Sequence, residues 1–221
     1  MSPMSSMMQE LYGSAMAKQV YDRLEKLDPE LNDIIQKIAY DFFWSRAGLN
    51  IRDKSLVTVV SLVVLGKEEQ TRIHINGFLN AGGTPQELLH ALVQLSVAAT
   101  PGSARSGAKA LAEVLRTRGC SDSQVGLLAS LLDKGLQEAS AEAIWSQDGL
   151  SARDKHLIEI SACAAVGRQE AIKAAILRSL RGGVTREDIR GVLIHQIVYC
   201  GFPTAMNGFA ALLDAQEGIV L

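Results

Sequence analysis

The sequence predicts an all-α protein made of two tandem helical repeats, on three observations. The stretch from Trp44 to Ala104 recurs without insertion or deletion from Trp145 to Ala205, and roughly a quarter of the paired positions are identical. Helix starts and stops punctuate both copies at matching places: Gly66 pairs with Gly167, Gly82 with Gly183 and Thr84 with Thr185. The one segment rich in β-branched residues, Leu56 to Leu65, has a second-copy counterpart, Leu157 to Val166, that is richer in alanine and long for a strand, so both are read as helices.

The elements follow in order. Residues 1–13 are expected to form a weakly structured leader, ahead of a helix over Ala15 to Leu27 with Val20, Leu24 and Leu27 on one side. Asp28 suits a cap and Pro29 a first helical turn, where its missing N–H would be unpaired anyway. A helix to Ser45 then carries Leu31, Ile34, Ile35, Ile38, Phe42 and Phe43 on its apolar side. After the Ala47–Asn50 turn, the helix from Ile51 is apolar all round and should be buried on every side. Lys67 to Ala81 follows, then a helix capped by Thr84 with Glu87 completing a capping box. The second copy repeats the plan, with Ser151 and Thr185 as caps, and Pro101 and Pro203 each open a last helix. Arg116 to Ser123 is the expected linker and Ser123 to Glu138 the helix leading into the second repeat. The divisions are thus a leader over 1–13, a first repeat over 14–118 and a second over 119–221. Trp44 and Trp145 are expected as core anchors, and His90 and His156 as surface residues.

Composition narrows the partners. Each repeat of about 70 residues is near the lower size limit for an independent core, so repeats must share one. Net charge is −2 with opposite signs interspersed, which gives no electrostatic footprint for nucleic acid or an anionic membrane. The longest apolar run is too short to span a bilayer and the amino terminus lacks a signal-peptide pattern, so a cytoplasmic location is expected. Cys120, Cys163 and Cys200 are odd in number and far apart, which fits reduced thiols. No Ser-His-Asp arrangement, phosphate-cradling glycine loop or pair of histidines at metal-ligand spacing can be placed.

The ordered combination of Trp-x-x-x-Gly-Leu-x-x-Arg, a long apolar helix ending in Gly, a histidine eight residues before another Gly, Thr-x-x-Glu, and Tyr-Cys-Gly-x-Pro-x-Ala resembles the carboxymuconolactone decarboxylase family. That family is related in fold to the alkylhydroperoxidase D-like proteins. The likeness covers about residues 38–114 and 139–213. It implies cofactor-independent decarboxylation of γ-carboxymuconolactone or a related small carboxylated lactone, in aromatic catabolism. It also implies rings of six repeat units, hence a homotrimer of two-repeat chains.

Decarboxylation next to a conjugated lactone carbonyl needs a donor at that oxygen, an acid to protonate the product carbon, and a cation for a dianionic substrate. His74 occupies the family's histidine position in the first copy, where the second has Ala175; Tyr199-Cys200-Gly201-Phe202-Pro203 keeps the family ending in the second copy, where the first reads Ala98-Ala99-Thr100-Pro101-Gly102. His195 and Tyr199, four apart, should share one face of a helix. The expectation is that His74 and His195 are catalytic, that Tyr199, Cys200, Arg52 and Arg153 bind substrate, and that a working pocket forms only where unlike copies meet. Arg52 and Arg153 have a competing reading as salt-bridge residues at helix starts, and Cys200 as a packing residue. Two other function classes stand beside this one. A peroxidase of the alkylhydroperoxidase D type is disfavoured because its Cys-x-x-Cys positions hold Lys67 and Gln70, or Arg168 and Ala171. A non-catalytic binding or scaffold protein descended from the enzyme is the other, and a scaffold would fill the pocket volume with side chains.

Overall fold

The computed structural model describes residues 3–146 and 148–216, leaving aside the side chains of residues 141 and 216. Among the described residues the elements are α1 (Ser6–Tyr12), α2 (Ser14–Leu27), α3 (Pro29–Ile34), a π-helical segment (Ile35–Trp44), α4 (Ile51–Val64), α5 (Glu68–Asn80), α6 (Pro85–Ala98) and α7 (Pro101–Thr117), then α8 (Asp122–Glu138), α9 (Ala141–Ser146), α10 (Ala152–Val166), α11 (Gln169–Arg181), α12 (Arg186–His195) and α13 (Ile197–Gln216). The caps fall where the sequence places them. Asp28 accepts from the Leu31 amide, Thr84 and Glu87 form the full box, and Ser151 and Thr185 accept from the third helical amides.

The two repeats meet through α4 and α10, the paired apolar helices. Leu56, Val57, Val59 and Val60 are all but fully buried, and so are Leu157, Ile158 and Ile160. Ile158 joins the first repeat's core while Leu49 and Val57 join the second's, so each repeat completes the other. The apolar surface of α4 and α10 is therefore covered within one chain.

A pseudo-symmetric ion-pair cluster flanks this contact. Arg52 reaches Asp154 and Glu87, and Arg153 reaches Asp53 and Asp188. Lys54 and Lys155 donate to the carbonyls of Trp44 and Trp145, closing the turn before each helix.

Four expectations are corrected. The supposed leader contains α1, whose Met8, Leu11 and Tyr12 are buried, because their spacing presents one apolar face to α5 and the π segment. The helix from Pro29 changes to π geometry at Ile35, with Ser45 N–H bonding to Tyr40 C=O, and this brings Tyr40 and Trp44 to the same wall. Trp145 is 37 % exposed rather than a core anchor, since α1 and α2 cover the first Trp but not the second. His156 is buried beside Trp145 and bonds Ser179, and His90 is half-buried.

Candidate functional site

The site grows from Trp44, which α1, α4, α5 and the α12–α13 junction surround. Its indole is 1 % exposed, and its Nε1 donates to the Tyr199 hydroxyl at 3.0 Å. The His74 ring stacks on the indole with centroids 5.7 Å apart and planes 10° apart, while His195 meets the indole edge-on at 4.7 Å. Tyr199 stands 5.6 Å from His74 and 5.8 Å from His195. His74 from the first repeat and His195 and Tyr199 from the second thus converge within one chain. The helix expected to carry His195 and Tyr199 is divided at Gln196, yet the two side chains remain neighbours.

A cleft of about 350 Å³ opens beside this cluster. Tyr12, Tyr40, Trp44, His74 and Tyr199 form its polar wall, Leu24, Leu27, Ile35 and Val198 its apolar one, and Arg23 and Glu69 pair with each other at its edge. Volume and lining suit a small molecule. His195 does not line the cleft. It lies behind Trp44 and Tyr199, with Nε2 2.9 Å from Thr58 Oγ1 and with its buried Nδ1 lacking a partner among the described residues. Cys200 lies outside the lining too, its thiol donating to Gln196 at 3.4 Å. Arg52 and Arg153 are held in the ion-pair cluster and line none of the cleft.

The cleft wall carries no net charge at neutral pH. Burial pushes the His74 and His195 imidazoles down to about 3, so both are neutral. Burial also raises Tyr12 well above the usual phenol range, Tyr40 to about 12, and Tyr199 further still, so all three hydroxyls keep their protons. Tyr199 accepts from the Trp44 indole and has Thr58 as a second side-chain partner. Burial lifts the Cys163 and Cys200 thiols to about 11, which withholds the thiolate that peroxidase chemistry uses. Among the described residues no group of three or more His, Cys, Asp or Glu side chains is placed to hold a metal ion.

Sequence reasoning missed Tyr12, Tyr40 and Thr58. Tyr12 shows only through the Met8, Leu11, Tyr12 spacing in the leader, and Tyr40 depends on the π register, for which the sequence carries no readable signal. A second groove of about 250 Å³ between α7 and α8 is apolar apart from Arg105, Lys109 and Asp133, and no histidine or tyrosine faces it.

Comparison with known proteins agrees with the repeat structure. The model of the carboxymuconolactone decarboxylase family matches residues 29–113 and again 130–214. The chain is also similar to a 4-carboxymuconolactone decarboxylase of Acinetobacter baylyi, 27% identical over 116 residues, which cover 52% of this chain and 87% of that protein. With two matched domains spanning most of its length and an unlike pair of half-motifs meeting at one cleft, the chain belongs to the carboxymuconolactone decarboxylase family.

Proposed function

We propose that the chain is a cofactor-independent carboxy-lyase acting on a small carboxylated lactone, γ-carboxymuconolactone or a close relative, in aromatic catabolism. The observation that carries this reading is the open cleft where His74 and Tyr199, from different repeats, face the same volume. A scaffold descended from the enzyme would have that volume filled.

The uncharged wall supports the chemistry. A carboxylate entering it exchanges water for neutral dipoles, and loss of CO2 spreads the charge into the lactone, so the site favours the dispersed charge over the concentrated one. Tyr199 lines the cleft, where its O–H can turn from Thr58 to the carbonyl oxygen on which the electron pair accumulates. His74, neutral in the free protein, gains proton affinity when an anion lies beside it, which equips it to protonate the product carbon. His195 serves as a positioning residue behind Tyr199 and Trp44. Arg23 at the edge of the cleft is the nearest cation for a second carboxylate, at the expense of its pairing with Glu69.

We infer a homotrimer in the cytoplasm as the working state. Apolar side chains remain exposed on two faces, Leu31, Ile34, Ile38 and Phe42 on one and Phe202, Met206 and Leu213 on the other. The first repeat shows how such a face is covered. Arg105, Ala108 and Ala112 of α7 are the repeat counterparts of Met206, Phe209 and Leu213, and they face α8 of their own chain.

The test of function is CO2 release from γ-carboxymuconolactone by purified protein. Turnover that collapses in His74→Ala supports the reading; absence of turnover by a folded wild type rejects this substrate.

A further inference from the structure

Helix α1 lies outside both stretches matched by the family model, yet its Tyr12 lines the cleft. Its docking is specific. The Ser5 amide donates to Gln36 Oε1 at 2.9 Å, Gln36 Nε2 donates to the Met8 sulfur, and Asn80 Nδ2 donates to the Leu11 carbonyl at 3.1 Å. Gln36 is fully buried. Opposite α1, Gly77 of α5 permits close approach: a Cβ there would lie 3.0 Å from Leu11 Cγ and 3.2 Å from Tyr12 Cε1. The absence of a side chain at Gly77 seats Tyr12 against His74.

The hydrogen bonds then run in one direction. The Tyr40 hydroxyl donates to the Tyr12 oxygen at 3.3 Å, so the Tyr12 proton is free to point at the imidazole. Tyr12 Oη lies 3.1 Å from Nδ1 and 3.3 Å from Nε2 of His74. Trp44 and Tyr199 hold the His74 ring by stacking and edge contact, but among the described residues its hydrogen bonds go to Tyr12. Standing nearly equidistant from the two nitrogens, the hydroxyl faces the ring rather than the in-plane lone pair of either, so it bears on where the imidazole sits and not on which nitrogen carries the proton.

We propose that Tyr12 is a positioning residue for His74, holding the imidazole in place through a hydroxyl that Tyr40 orients, so that α1 is part of the functional site. When His74 takes up a proton beside an anionic ligand, the same hydroxyl turns from donor to acceptor, because a phenol can do either. Loss of the hydroxyl removes support from both protonation states, whereas loss of a wall contact alone would leave the imidazole unchanged. The kinetic consequence rests on the decarboxylase reading; the placement of the ring does not.

The experiment is long-range 1H–15N NMR of the histidine side chains in wild type, Tyr12→Phe and Tyr40→Phe, with thermal midpoints and kinetics on the same samples. The expected result is one sharp set of His74 ring 1H and 15N signals in wild type, shifted or exchange-broadened signals in Tyr12→Phe, and a smaller change of the same kind in Tyr40→Phe. In Tyr12→Phe kcat should fall roughly 10- to 100-fold with KM little changed. If Tyr12→Phe is too unstable to measure, Tyr40→Phe decides by the same criterion. An unchanged His74 spectrum in whichever variant decides overturns the proposal. A wild type that turns over no lactone rejects the reaction and leaves the spectra to judge Tyr12.

Discussion

Two histidines of this chain are buried where an imidazolium finds no stabilising carboxylate, and acid stability should reveal it. His74 and His195 are both pushed down to about 3 by burial, against an ordinary value near 6.5. Below pH 6.5 the unfolded chain binds these protons while the folded chain does not, so stability is fully present above that value and falls as pH drops toward 3. Each histidine adds up to about 1.4 kcal/mol per pH unit across that window. Urea unfolding between pH 7 and pH 4 should show this slope, and His74→Gln should reduce it by about one proton's worth. Equal slopes in both proteins would mean that His74 is solvated. At this scale the sequence was partly legible. His74 and Tyr199 could be singled out as the two preserved halves of one motif, but their contact could not, because it depends on how α5 and α13 pack around Trp44. Trp145 and His156 were misjudged for a related reason: the repeats match in residues but not in what covers them.

Helices carry the duplication more faithfully than side chains do. Gly107 in α7 and Gly208 in α13 are repeat equivalents, and each faces the equivalent leucine: a Cβ on Gly107 would lie 2.3 Å from Leu92 Cδ2, and one on Gly208 2.3 Å from Leu193 Cδ2. These glycines let the last helix of each repeat cross its neighbour closely. Gly107→Ala should overpack the crossing at a cost of about 1–3 kcal/mol, against a propensity gain of about 1 kcal/mol. A net loss on the order of 1 kcal/mol is expected, and Gly208→Ala should behave alike. By contrast Gly126→Ala in α8 meets open space and should stabilise by about 0.5–1 kcal/mol. Thermal or urea unfolding reads all three, and a stabilised Gly107→Ala would show that the crossing has slack. Helix boundaries were legible because caps and glycines are local chemistry. The break within α13 was less so: Gly201 adopts φ +79°, which lets Pro203 start a new turn and still leaves Tyr199 aimed at the cleft. The π segment was not legible, since its register is set by α1 and α12 packing on either side rather than by its own residues.

At the scale of the whole molecule, two repeats that each keep half of a motif bring those halves to one cleft within a chain, and apolar side chains stay exposed on two faces, on which the proposed trimer rests. Static light scattering should give three chains, and Met206→Glu or Ile38→Glu should reduce the mass; a wild-type monomer at micromolar concentration would contradict the trimer. No helix among the described residues is long and apolar enough to cross a membrane. The central claim is that His74 and Tyr199 act together on one ligand across the repeat boundary. A double-mutant cycle in kcat/KM, with His74→Ala, Tyr199→Phe and both, tests it most directly. The account predicts that the double variant loses far less than the product of the two single losses. Losses that multiply independently, or single variants that retain full activity, would contradict a site shared by the two repeats.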